Sequence, residues 1–435
     1  MLKRKATSYI KNWNDTKSRK CLIVQGARQT GKTYIIERFA EDNFEEFVEI
    51  NFKQMPSAAE IFAGDLTVDN MVMAMRFRFP GKQIIPGKTL IFFDEIQECQ
   101  EAVTSLKFWA IDDRYDVIAS GSLLGIDYKR ASSYPVGYVD YLKMYGIDFE
   151  EFLWGIGITE DMIDNLRGYL HSKTVIPEAV HSQMMNYYRQ YIATGGMPEV
   201  VQKYMDTRDF REVDKIQRSL LQGYQYDIAH YATPEEKVKA EKCYLSVARQ
   251  MLDKANHKFQ YKEVEHGGRA QKYYSSIEWL LRADMVHLSR RVTDVRFDLD
   301  DYARDDFFRA YTTDLSLLMA MKDFSLKQYI VENTLTGNSK GGIYECAIAD
   351  ALYKKGYHLY FYKNETTKRE IDIIVQKDGK VVPVEVKSGN TRASSLKSLL
   401  NSNRDIHYGY KFADSNIGIS EDGIITLPLY MAAFI

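Results

Sequence analysis

Two groups of side chains in this sequence have the types and spacing for chemistry, one near each end. Near the amino end, "GARQTGKT" runs from Gly26 to Thr33. A loop of this kind curls its backbone N–H groups around the β- and γ-phosphates of a nucleotide. Here Gly26, Ala27, Arg28, Gln29, Thr30 and Gly31 supply the cradle, Lys32 adds a point charge, and Thr33 offers a hydroxyl to Mg²⁺. Farther on, "KTLIFFDEIQ" is an apolar run that ends in Asp94-Glu95. Asp94 suits the water shell of the metal, and Glu95 suits polarising an attacking water. "YDVIASGS" ends in Ser120-Gly121-Ser122, where a hydroxyl either senses the γ-phosphate or serves as plain turn chemistry. The cofactors this end calls for are ATP and Mg²⁺, with Lys32 and Glu95 as its catalytic pair.

The second group is "EIDIIVQKDGKVVPVEVK", residues 370–387. Asp378-Gly379 between two alternating apolar runs predicts a two-residue hairpin turn with positive φ at both positions. Folding there pairs Asp372 with Glu385 and Glu370 with Lys387, and aligns Ile371, Ile373 and Val375 with Val386, Val384 and Val382. Pro383 then falls in a non-hydrogen-bonded pair and loses no bond to this partner. Two carboxylates opposed at roughly 5 Å between Cβ atoms destabilise a sheet. A divalent cation between Asp372 and Glu385 removes that repulsion. Lys387, two residues on and so on the same face, is placed to orient a water or steady an oxyanion. The alternative is a solvated sheet face on which Lys387 pairs with its neighbours for well under ~1 kcal/mol.

The elements that must position these groups are legible as patterns. "CLIVQ" before the loop reads as a strand and "TYIIERFA" after it as a helix, while "EFVEINF" reads as another strand. Strand and helix alternate, which predicts an open parallel sheet with its ligand at the strand ends. Residues 148–233 are helical, with Tyr187, Tyr188 and Tyr191 as a core stripe, and Gly195-Gly196-Met197-Pro198 interrupts them. The next stretch reads as a long helix, a short helix, a turn at Gly267-Gly268, a helix near 272–281 and a strand. That is the order of a winged helix. Residues 235–291 hold twelve Lys and Arg against eight Asp and Glu. This excess suits DNA contact, and packing between domains remains the equal alternative. His266 falls in the turn with no chemical role. Near the carboxyl end, "GGIYECAIADALYKKGY" predicts an amphipathic helix and "RASSLKSLLNSN" a covering helix whose Lys397 faces phosphate, giving an αβββα order around the hairpin.

Composition bounds these readings. At 435 residues the chain is long enough for about three domains. Hydrophobic residues make up 45% and charged residues 27%, with net charge −2, so no global field draws the chain to nucleic acid and any such binding must come from a local patch. No apolar run is long enough to span a bilayer. Cys21, Cys99, Cys243 and Cys346 lack C-x-x-C spacing, which speaks against a zinc site or a disulfide framework and for buried thiols in a reducing cytosol. The eight histidines show no ligand spacing. "MLKRKATSYIKNW" is basic with no apolar stretch after it, unlike a secretory signal.

Gly26–Thr33, Asp94-Glu95, "ASGS", "DFEEFLWG" (148–155) and "YIATGGMPEVV" (191–201) together resemble a large group of bacterial and archaeal AAA-type P-loop ATPases. The C-terminal domain of that group is related to PD-(D/E)XK nucleases, and the resemblance covers nearly the whole chain. It implies an α/β fold with a P-loop NTPase parallel sheet in 1–147, a helical lid in 148–233, a winged helix in 234–330 and a restriction-endonuclease-like α/β domain in 331–435. Asp372, Glu385 and Lys387 match the D…E-x-K motif of those nucleases, and Glu345 matches their helix glutamate that leans toward the metal. One departure stands out. The family usually has G-R where this chain has Gly137-Tyr138, so an arginine acting on the γ-phosphate is unassigned, and Arg130 is a poor substitute. The implied function is a cytoplasmic Mg²⁺-dependent ATPase coupled to a nuclease-like, DNA-engaging domain. The alternative is a nucleotide-controlled binding module without cleavage. A homo-oligomer stays open, and no membrane partner is expected.

Overall fold

In a computed structural model the chain is described over residues 2–16, 20–121, 135–252, 258–364, 366, 369–389 and 391–435. Ser122 and Arg130 lie outside the described residues. The chain forms two compact units, Lys3–Tyr145 and Gly146–Ile435.

In the first unit the elements are α1 (Lys5–Asp15), β1 (Cys21–Gln25), α2 (Lys32–Asn43), β2 (Glu46–Asn51), α3 (Val68–Arg78), β3 (Thr89–Asp94), α4 (Gln100–Asp112), β4 (Asp116–Gly121) and β5 (Val139–Lys143). All five strands are parallel, in the order β2-β3-β4-β1-β5. β3, "TLIFFD", is buried along its whole length. A strand covered on both faces needs such a continuous apolar run rather than an alternating one. One apolar layer holds Phe62, Phe93 and Trp109, and the other holds Ile36, Phe39 and Phe92. β1, β3 and β4 are neighbours and run the same way, so their carboxyl ends lie at one edge of the sheet. That edge brings together Gly26, Glu95 and Gly121.

The second unit begins with α5 (Phe149–Gly155), α6 (Glu160–Ser172), α7 (Glu178–Thr194), α8 (Pro198–Thr207) and α9 (Phe210–Tyr231). Tyr188 and Tyr191 pack as core against Phe149, as their spacing predicts, while Tyr187 is partly exposed. Then follow α10 (Lys237–Leu252), α11 (Ala270–Arg282), β6 (Val286–Val292), β7 (Ala303–Thr312), α12 (Leu315–Ala320), α13 (Phe324–Val331) and α14 (Gly337–Lys354). The chain ends with β8 (Leu359–Lys363), β9 (Glu370–Lys377), β10 (Lys380–Lys387), α15 (Ser394–Ser402), β11 (Gly409–Ala413), β12 (Gly418–Ile419) and β13 (Ile424–Pro428).

One eight-stranded sheet, ordered β12-β13-β11-β10-β9-β8-β6-β7, runs through this unit. The hairpin β6–β7 comes from the stretch read as winged helix, yet β6 pairs in parallel with β8. The sheet therefore crosses the division drawn at 330/331. β7 can join because Phe308 to Thr312 are all buried, giving it two covered faces. α14 also differs from its amphipathic reading. It is buried almost all round, because α10, α12, β7, β8, β10 and residues 429–433 pack against it.

That burial takes charges inside. Lys354 Nζ donates to Asp314 at 2.7 Å, Asp350 at 2.9 Å and the Tyr191 hydroxyl at 3.0 Å, all out of solvent. The Gly196 N–H donates to Asp314 at 2.9 Å, and a Cβ at Gly195 or Gly196 would overlap Ser316 N or the Ile147 carbonyl oxygen, which accounts for the glycine pair that interrupts the helical stretch. All four cysteines are buried free thiols. Among the described residues no helix is long and apolar enough to cross a membrane.

Candidate nucleotide site and carboxylate site

The phosphate loop follows β1 directly and ends at Gly31, the residue that caps α2. A side chain at Gly26 would overlap the Met144 carbonyl oxygen, so the loop's first turn needs glycine for close approach. Lys32 Nζ donates to the carbonyls of Gly26 at 3.0 Å and Ala27 at 2.9 Å, and the Thr30 hydroxyl donates to Ala27 at 2.9 Å. Arg4 braces the loop through Thr30 O at 3.1 Å and Tyr145 O at 2.7 Å. The amides at the start of α2 carry the helix's positive end.

Asp94 closes the site. Its carboxylate accepts from the Thr33 hydroxyl at 3.2 Å, from Asn51 at 2.8 Å and from the Ser120 hydroxyl. Burial, opposed by the Ser120 bond and aided by the charge of Glu95, lifts its pKa above the ordinary range. Glu95 is the next residue, held in the left-handed region at φ 51°. Its carboxylate accepts from the Gln97 side-chain amide. Thr33 and Asp94 present adjacent hard oxygens, the donor chemistry that fits Mg²⁺. Tyr138 packs partly buried against the core, with Lys107 Nζ 5.5 Å from its ring centroid.

At the other end the hairpin takes the register read from sequence. Asp378 and Gly379 have φ 48° and 72°, and pairing runs from Lys380↔Lys377 to Val384↔Ile373 with Pro383 opposite Ile374. The regular pairing stops there. The Val386 N–H donates to Asp372 Oδ2 at 2.8 Å, so a side chain takes the place of a main-chain acceptor. Glu370 is also not placed against Lys387. It stands beside Lys363 of β8, and its carboxylate accepts from Arg309.

Arg309, on β7, organises this site. One nitrogen donates to Glu345 at 2.8 Å and to the Asp372 carbonyl at 3.0 Å, the other to Glu370. Its guanidinium lies 4.5 Å from the Phe361 ring centroid. Burial works against its charge, but Glu345, Tyr311, Glu370 and Asp372 outweigh this and hold it firmly protonated. Tyr311 donates to Glu345 at 3.1 Å. Lys387 pairs with Glu385, whose other oxygen accepts from the Leu396 N–H at 3.2 Å. Burial raises the Glu385 pKa against the pull of Lys387. Burial disfavours the Lys387 charge, yet the surrounding carboxylates raise its pKa overall.

The four carboxylates Glu345, Glu370, Asp372 and Glu385 line one cavity of about 290 Å³ with Arg309 and Lys387. Glu345, Asp372 and Glu385 are thus together, but each is held by a resident donor. Among the described residues no three acidic, histidine or cysteine side chains are grouped to hold a metal ion. As arranged, the donor set does not fit a cation shared by Glu345, Asp372 and Glu385. Lys397 pairs with Asp422 at 2.8 Å rather than standing free for phosphate.

Sequence reasoning missed Arg309, Tyr311, Asn51, Gln97 and Arg4. Asn51, at the end of a readable strand, and Gln97, two residues beyond Glu95, carried a local signal. Arg309 and Arg4 reach their sites only through tertiary pairing.

The loop, the strand order and the Asp94 cluster define an AAA-type P-loop nucleotide-binding domain. Residues 18–153 match the family described as AAA domain. Residues 185–328 and 340–431 match two domains of unknown function, DUF8612 and DUF4143. No curated protein matches. Among solved structures, a Walker-type ATPase of Pyrococcus abyssi is 11% identical and aligns over 74% of this chain and 96% of its own, with a TM-score of 0.42. Aeropyrum pernix ORC1 in complex with DNA is 12% identical over 77% of this chain and 95% of its own, with a TM-score of 0.29. The Thermotoga maritima RuvB Holliday junction branch migration motor is 13% identical over 66% and 89%, with a TM-score of 0.27.

Proposed function

We propose that the chain is a Mg²⁺-dependent ATP hydrolase whose turnover controls a DNA-engaging, nuclease-like carboxyl-terminal region. One observation carries the hydrolase reading: Thr33 and Asp94 lie within 3.2 Å at the mouth of a loop whose amides and Lys32 are built for phosphate. Lys32 steadies the β- and γ-phosphates, Thr33 and Asp94 hold the metal, and Ser120 and Asn51 fix Asp94. Glu95 takes a proton from the attacking water. When bound, Mg²⁺ supplies charge neutralisation at the transferring phosphate. Phosphate release by wild type, Lys32→Ala and Glu95→Gln tests this. Both variants fall by roughly 100-fold, Lys32→Ala with weakened ATP binding and Glu95→Gln with binding kept. Wild type that binds MgATP without releasing phosphate ends the hydrolase reading.

A second reading is favoured by Arg309. With Glu345, Glu370 and Glu385 each held by an internal cation, the carboxyl-terminal region acts as a nucleotide-controlled binding module that does not cut. No metal step is assigned to it. The winged-helix order of α10, α11, β6 and β7, and the basic excess of 235–291, support DNA as the partner. Plasmid incubated with Mg²⁺ or Mn²⁺ decides between the two. Nicking that Asp372→Ala abolishes restores the nuclease, whereas intact DNA with retained binding leaves the module.

A further inference from the structure

Gln97 belongs to neither the phosphate cradle nor the Asp94 cluster, and it is buried, 8% exposed, at the carboxyl edge of the first unit's sheet. Its side-chain nitrogen donates to Glu95 Oε2. A carboxylate accepts and does not donate, so the amide's orientation is fixed: nitrogen toward Glu95, oxygen away. That oxygen, Oε1, is buried without a hydrogen-bond partner among the described residues. It lies where a side chain at residue 121 would be: a Cβ on Gly121 would come within 2.5 Å of it. Gly121 ends β4 and pairs with Gln25, the residue before the phosphate loop.

A buried acceptor without a partner opposes folding, and an apolar side chain of the same length would remove the cost. Two further features count against stability as the reason for Gln97. Glu95, the group it holds, sits in a backbone region that non-glycine residues avoid, and Gly121 leaves just the space the amide needs. Sites that keep such costs are those where geometry matters more than stability.

We infer that Gln97 is a positioning residue for hydrolysis: wedged against Gly121, it aims the Glu95 carboxylate at the attacking water. The inference rests on the reading of Glu95 as the proton acceptor.

Steady-state ATP hydrolysis and thermal unfolding of the full chain test it. Gln97→Met keeps length and removes both polar atoms. Its kcat falls roughly 10- to 100-fold, as for loss of a hydrogen bond to a charged group, with KM within about twofold and Tm unchanged or higher. Gly121→Ala, which pushes on the amide from the other side, lowers kcat in the same direction with the same KM. Glu95→Gln/Gln97→Met is no slower than Glu95→Gln alone, because the amide acts only through Glu95. A Gln97→Met enzyme with wild-type kcat overturns the inference. So does a double variant that loses the full Gln97→Met factor again. Glu95→Gln turning over like wild type identifies the fault with the reading of Glu95 itself.

Discussion

Lys32 and Arg309 are both cations set among oxygens, yet their surroundings differ in kind. Lys32 donates to two neutral carbonyls of its own loop, within six residues. Arg309 lies between Glu345 and Glu370, residues of α14 and β9, and its charge is spent inside the protein. The amino-terminal site is organised by local backbone. The carboxyl-terminal site is organised by tertiary pairing, with its charges matched inside the protein. An anion arriving at the first meets a lysine held by loop carbonyls, whereas a ligand at the second must displace a resident ion pair.

The contrast breaks most visibly if the two cations are removed in turn. Arg309→Met leaves the buried Glu345 and the half-buried Glu370 without their cation and is expected to cost about 3–5 kcal/mol in denaturant unfolding. Lys32→Met removes a half-buried side chain's two bonds to loop carbonyls and is expected to stay within about 0.5 kcal/mol of wild type. Adding Glu345→Gln and Glu370→Gln to Arg309→Met restores most of the loss, since a buried ion cluster replaced as a whole is close to neutral. Equal losses for Lys32→Met and Arg309→Met would mean that the two sites are not different in kind.

The same difference governs what could be read from sequence. Gly26 to Thr33 is contiguous, so strand, loop and helix are visible in one window, and Asp94 falls at the end of an apolar run that must be a buried strand. The hairpin was legible for a similar reason: Asp378-Gly379 fixes its register from within. Arg309 was not legible. Nothing in "RDDFFRAYTT" separates a buried site arginine from a surface one until β6 pairs with β8 and carries β7 to the carboxylates. The expectation of a helix with one polar face failed at α14 likewise, since its Asp350 and Lys354 are buried only because Asp314 and Tyr191 meet them there.

That buried set, Lys354 with Asp314 and Asp350, extends the comparison to a closed cluster outside both sites. Burial, partly offset by Lys354 and reinforced by Asp314, pushes the Asp350 pKa to about 7. In the unfolded chain it titrates near ~3.9. The folded state therefore holds this proton more tightly. Asp350's contribution to stability is fully present below about pH 4 and is lost as pH rises toward 7, by at most ~1.4 kcal/mol per pH unit. Asp350→Asn cannot ionise. Its stability relative to wild type should improve between about pH 4 and 7 and level off above that, read from urea unfolding at each pH. A difference that stays flat would show that Asp350 is ionised throughout, with Lys354 fully compensating it.

The smallest effect probes what holds the closed site in register. At Gly379, φ is 72° and a Cβ would meet nothing within 4 Å, so Gly379→Ala carries only the backbone penalty of the left-handed region, about 1 kcal/mol. Gly379→Asn should cost less than half of that, because asparagine tolerates the conformation. Thermal unfolding orders them wild type, Asn, Ala. The turn lies at the far end of the β9–β10 hairpin from Asp372 and Glu385, so neither variant should change the pairing of Lys387 with Glu385. If Gly379→Ala loses far more than the backbone term, the hairpin register depends on the turn and the carboxylates depend on the register. The closed site would then rest on one local signal, as the phosphate loop does, and the distinction between the two ends would narrow to the origin of Arg309.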